Sequence, residues 1–200
     1  MAYTKGMKPS FRGVVLLLAA LIVPSLAHAH VGVGETSGFL HGMGHPLNGL
    51  DHICAMIAVG LWAAQMGGRS IWAVPLTFVG VMALGGFLGV IGVNVPFVEM
   101  GIVISVLALG VFVAASVRLP LAASVTVVGL FAAFHGHAHG AAIPEAASGL
   151  AYAGGFIVAT ALLHALGIGL GITIQRLARP QVVRFAGMAI ALCGGYLLLS

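Results

Sequence analysis

The sequence predicts an all-α membrane protein, with six transmembrane helices following a cleavable N-terminal signal peptide, and three observations carry that prediction. The first is the scarcity of charge. Of the 200 residues 60% are hydrophobic and only 6% charged, where soluble domains carry about 25% charged residues. The second is run length: beyond the first thirty positions the apolar residues fall into six runs, each near the roughly 20 residues that a helix needs to cross hydrocarbon. The third is the placing of the arginines, which recur only at every second break between runs.

The N-terminal segment has the three parts of a secretion signal. Lys5, Lys8 and Arg12 form a positive region, residues 14–26 an apolar one, and Ala27-His28-Ala29 offers small residues at a cleavage site. Cleavage is expected after Ala29. This divides the chain into a signal peptide over 1–29 and a single six-helix domain over 30–200.

The six spans are expected at 46–66, 71–92, 97–116, 121–138, 146–173 and 182–199. The breaks between them carry turn chemistry: Gly67-Gly68-Arg69, Asn94-Val95-Pro96, Arg118-Leu119-Pro120, Gly140 to Pro144, and Arg179-Pro180. The runs are too long and continuous for barrel strands, and within lipid each backbone group must bond inside its own helix. If residues 30–44 lie outside, Arg69, Arg118, Arg176, Arg179 and Arg184 all fall on the cytoplasmic side, as the positive-inside rule requires. The expected location is therefore a bacterial inner membrane, multi-pass, with a periplasmic mature N-terminus. The 30 glycines suit close helix packing in lipid, with Gly85/Gly89 and Gly167/Gly171 at the spacing such contacts use.

A formal charge of +4 does not make this a nucleic-acid binder. The basic residues are confined to the signal and to positions in or beside the breaks, so there is no continuous basic face for phosphates. Cys54 and Cys193 lie in separate apolar runs and form no CxxC pair; they read as small buried hydrophobes.

Ionisable residues within a membrane are costly and mark functional sites by default. Two clusters stand out. In His45-Pro46-Leu47-Asn48-Gly49-Leu50-Asp51-His52, positions 45 and 52 are two turns apart and project to one face, with the Asp51 carboxylate about a quarter-turn round from His52; Pro46 suits a first turn, leaving His45 as the cap. Two imidazoles and a carboxylate suit a borderline metal. In Phe134-His135-Gly136-His137-Ala138-His139-Gly140, His135 and His139 share a face at the i, i+4 spacing that lets two imidazoles bind one ion, and His137 points elsewhere. The orientation derived from the arginines puts both clusters on the same side. His164 stands alone in the fifth span and is a candidate further station. Ser105 is expected to bond back to its own helix, and Glu99 to serve a helix N-terminus.

These motifs resemble a known family. The HPLNGLDH run is similar to the H-P-x-x-G-x-D-H signature of the HupE/UreJ nickel and cobalt permeases, and FHGHAHG resembles that family's F-H-G-x-A-H-G signature. Pro96 to Ile102 and Ala159 to Gly167 also look like family segments. The resemblance implies a permease domain in which His45, Asp51, His52, His135 and His139 occupy functional positions. One departure is Ala142, where the family usually has Glu; Glu145 follows beyond Pro144.

The implied function is uptake of a divalent transition metal, Ni2+ first and Co2+ second, by a protein that is not an enzyme. The expected ligands are His45, Asp51, His52, His135, His137, His139 and His164, with no resident cofactor and no partners beyond the ion and the bilayer; a homo-oligomer remains compatible. No GxxxxGK[ST] loop is present, so nucleotide hydrolysis by this chain is not expected. The alternative is a membrane metal sensor or accessory protein without transport. Outer-end histidines beside Asp51 fit a haem cytochrome poorly, and no serine or cysteine has the paired base that a hydrolase needs.

Overall fold

The structure is a computed structural model that describes residues 37–143 and 148–200. The expected signal peptide and Glu145 lie outside the described residues. The described chain forms seven helices and no strand: α1 Ser37–Asn48, α2 Leu50–Met66, α3 Ser70–Val90, α4 Val98–Ala115, α5 Leu121–Ala141, α6 Gly149–Arg176 and α7 Pro180–Leu199. Helices α3 to α7 are each long and apolar enough to cross a membrane, and the bent pair α1–α2 makes a sixth if counted as one span. The ends of α3 to α7 agree with the expected spans to within three residues, because Gly, Pro and Arg punctuate the breaks.

The first span departs from expectation. His45 and Pro46 lie within α1 rather than at the start of a helix over 46–66. Helices α1 and α2 meet at 82°, and the Gly49 between them is extended at φ −96°, ψ 120°. His45 and His52 therefore stand on two helices, not on two turns of one face. The local chemistry accounts for the break. Pro46 lacks the N–H that would close the last turn of α1. A side chain at Gly49 would place its Cβ 2.7 Å from Asp51 Oδ1 and 2.9 Å from His52 Nδ1.

Helix α2 is the central element. Ala58 to Ala64 is buried without interruption, a stretch of nearly two turns that leaves no face for lipid. It packs on α6, α4, α3 and α7. On the outside, large apolar side chains such as Trp72, Leu84, Leu130, Leu162 and Leu192 are exposed. In water such a surface would drive aggregation, whereas in lipid it is solvated.

Glycines set the helix directions and spacings. A Cβ at Gly85 would strike the Ala133 carbonyl, and one at Gly89 the His137 carbonyl; Gly136 and Gly140 likewise face the carbonyls of Met82 and Gly86. The numbers rise together, so α3 and α5 run parallel in backbone-to-backbone contact. Gly60 against Gly167 and Ala64 against Gly171 make α2 and α6 a second parallel pair. Gly110 against Ala191 and Gly194 against Leu107 make α4 and α7 antiparallel. The expected packing role of Gly85, Gly89, Gly167 and Gly171 is met, with Gly171 facing the Ala64 Cβ.

This alternation places the starts of α2 and α6 and the ends of α3 and α5 at one end of the bundle. Arg69, Arg118, Arg176, Arg179 and Arg184 lie at or near the other, where polar side chains satisfy carbonyls at and just beyond the end of α4. Trp62 Nε1 donates to Val117, Gln65 Nε2 to Val113 and Arg184 Nε to Ala114, at 2.8, 3.0 and 2.8 Å. Helix C-termini leave these acceptors free, and lipid offers no water to bond them.

Candidate metal centre

Four imidazoles meet at the end of the bundle opposite the arginines. His45 comes from the last turn of α1, His52 from the first turn of α2, and His135 and His139 from the last two turns of α5. The ring centroids of His45 and His139 are 4.5 Å apart, those of His52 and His139 4.4 Å, and those of His52 and His135 5.0 Å, all edge-to-face. His45 and His52 are 6.3 Å apart. The bend at Gly49 produces this arrangement by laying α1 against the start of α6, from where His45 reaches His139. Helix α1 is held there by Gly42, packed on the Tyr152 carbonyl, and by Gly155, packed on the Phe39 carbonyl.

The glycines of the FHGHAHG run serve the same geometry. Gly136 and Gly140 face α3, which leaves His135 and His139 facing the centre. His137 lies on a third direction and stands outside the cluster, with Nε2–H donating to the Val93 carbonyl at 2.6 Å in the α3–α4 connection.

Asp51 is bound to its neighbour. Its Oδ1 accepts from His52 Nδ1–H at 2.8 Å and from the His52 backbone N–H at 2.9 Å. A carboxylate in the first turn of α2 also complements the helix dipole. This contact leaves His52 Nε2 buried without a partner.

Two residues that were not expected at the centre belong to it. Tyr152 of α6 places its hydroxyl 2.6 Å from His45 Nδ1. Ser105 of α4 does bond back to its own helix, donating to the Ile102 carbonyl at 2.6 Å, but its Oγ also lies 2.8 Å from His135 Nε2. A lone serine in an apolar run was the only sequence signal for the second contact, and Tyr152 gave none.

His164 sits deeper. Its ring is 5.1 Å from that of Phe78, which is itself 5.6 Å from His135, so a single buried phenylalanine separates His164 from the cluster. Toward the chain's start, His41 is exposed with its ring 6.1 Å from Tyr152. The aromatic and imidazole rings thus form a continuous file from His41 through Tyr152, His45, His139, His52 and His135 to Phe78 and His164.

Seven imidazole nitrogens in this region are buried with no hydrogen-bond partner: Nε2 of His52, Nδ1 of His135 and His137, and both nitrogens of His139 and His164. Each such atom costs about 1–3 kcal/mol, and buried polar groups in native proteins are otherwise paired. Among the described residues no three His, Cys, Asp or Glu side chains form a set able to hold one ion as they stand. The rings pack edge against face, and an ion shared by three of them requires the rings not held by Asp51 or Ser105 to turn about their side-chain torsions. His139 has room for this, because it borders a cavity of about 580 Å³ lined mainly by apolar side chains, with Met82, Tyr152 and Phe156 also in its wall. Cys54 and Cys193 are free thiols.

Apolar helices around a buried imidazole cluster have the build of a multi-pass membrane protein with a polar site at one end. The sequence matches the family described as HupE / UreJ protein over residues 18–197. It is also 48% identical over 187 residues to Protein HupE of Rhizobium leguminosarum bv. viciae, a match that covers 94% of this chain and 97% of that protein. The chain belongs to the HupE/UreJ family. No solved structure matches it.

Proposed function

We propose that the protein is an inner-membrane permease for a divalent transition-metal ion, Ni2+ before Co2+, which binds at the imidazole cluster on the periplasmic side and passes inward by way of His164. The family is linked with nickel and cobalt transport, and the preference for nickel rests on that link. The observation that supports the reading most is the set of unpartnered imidazole nitrogens. They sit where a dry interior penalises them, and they are borderline donors suited to such ions. Asp51 orients His52 and adds negative charge beside the ion. His45, His52, His135 and His139 supply nitrogens in overlapping pairs, and His164 is the next station past Phe78. His137 supports the α3–α4 connection and can take part only if it leaves Val93.

Conduction requires sites that bind well enough to admit an ion and weakly enough to release it. A file of paired imidazoles suits this better than a closed four-ligand shell, which favours transport over a sensor. The driving force is at hand: a charge crossing the membrane gains about 2.3 kcal/mol per 100 mV, and a dication twice that.

The test is radioactive nickel uptake by cells producing the protein, with cobalt, zinc and copper as competitors. Uptake above that of empty cells, reduced most by cobalt, is the expected result. No uptake of nickel or any competitor would remove the permease reading and leave the sensor. Imidazolium cannot ligate a metal, so protons compete with the ion and uptake is also expected to fall in acid medium. An apparent nickel affinity that is the same at every pH at which the protein stays folded would argue against imidazole ligation.

A further inference from the structure

We infer that Ser105 is a positioning residue of this centre: its hydroxyl holds His135 as the Nε2–H tautomer, so that His135 ligates the ion through Nδ1. The inference rests on the metal-binding reading above and adds the atom through which one ligand acts.

The donor and acceptor inventory leads to this assignment. A serine hydroxyl carries one proton, and Ser105 commits it to the Ile102 carbonyl at 2.6 Å. Toward His135 Nε2, at 2.8 Å, the oxygen can then only accept, so Nε2 bears the hydrogen. In neutral imidazole the other nitrogen is left with a lone pair. That nitrogen, Nδ1, is buried and unpartnered, on a ring 5.0 Å from His52. Ser105 and His135 are both 0% exposed, so water does not compete for either group.

The same logic operates at His52, where Asp51 takes Nδ1–H and leaves Nε2 free. The two rings thus present opposite nitrogens, each fixed by a residue behind it, as outer-shell partners do for metal-bound histidines. Ser105 is also the link between α4, which supplies none of the clustered imidazoles, and the centre.

The experiment uses full-length protein purified in detergent, as wild type, Ser105→Ala and Ser105→Thr, with histidine 15N-labelled. Metal-free spectra report the His135 tautomer, assigned by its loss in His135→Gln, and cobalt titration reports affinity. Wild type and Ser105→Thr are expected to show the Nε2–H form, whereas Ser105→Ala shows a mixture and binds cobalt about 10- to 100-fold more weakly. Rescue by threonine separates positioning from packing, since both variants alter the volume of the side chain. An unchanged tautomer in Ser105→Ala overturns the inference, as does a changed tautomer with unchanged affinity. Wild type that shows the Nε2–H form but binds no cobalt removes the metal-centre reading itself, and with it the role in ligation.

Discussion

Nickel uptake is expected to fall to the level of empty cells in His139→Ala, and nearly as far in His52→Ala, at equal membrane abundance. His139 touches both His45 and His52, with ring centroids 4.5 and 4.4 Å away, and both of its nitrogens are buried and unpartnered. Its pairs with His45 and His52 are the two shortest imidazole separations of the centre, so its removal interrupts the file where the rings lie closest. His52 joins His139 to His135 and is the ring that Asp51 orients. Loss of either is expected to lower uptake by at least 100-fold. His137→Ala is the contrast, since that ring is turned to Val93; it is expected to retain at least a third of wild-type uptake. Equal losses in all three variants would mean that the cluster has no special place in the path.

The second large effect concerns stability. Gly140→Ala is expected to destabilise the protein by about 2 kcal/mol or more, whereas Gly169→Ala leaves it unchanged or slightly more stable. In a helix interior alanine is better than glycine by about 1 kcal/mol, so the intrinsic preference favours both changes. At Gly140 that gain is outweighed, because the new Cβ would run into the Gly86 carbonyl on the parallel helix. Backbone cannot step aside as a flexible side chain can, and overpacking of this kind costs roughly 1–3 kcal/mol or more. At Gly169 nothing lies within 4 Å. Thermal unfolding of the two variants in detergent, followed by size exclusion, compares the same chemical change in two surroundings. Similar melting behaviour in both would refute the close α3–α5 contact.

The extent of helix was legible because hydrophobic runs and their interruptions obey constraints that lipid imposes locally. Helices α3 to α7 end where Gly, Pro and Arg say they should, and the twin glycines of α3 and α6 announced close packing. The four clustered histidines were legible as candidates, since polar residues in apolar runs are few. The first span misled because hydropathy is blind to direction: the run from Pro46 to Met66 is apolar on average, and only the 82° bend shows that it belongs to two helices.

By itself, then, the sequence determined the class of protein, the ends of five helices, the common side of the two histidine clusters and the family. Each of these depends on composition, on punctuation or on a motif read along one stretch of chain. The tertiary structure decided which imidazoles meet, which one faces away, and which residues stand behind them. Tyr152 reaches His45 across 107 positions and Ser105 reaches His135 across 30, and neither contact has a periodicity or spacing that a single segment could carry. They exist because glycines let helices approach closely, Gly42 and Gly155 between α1 and α6 and Gly101 between α4 and the Phe134 ring of α5, which brings side chains from distant segments within hydrogen-bonding reach.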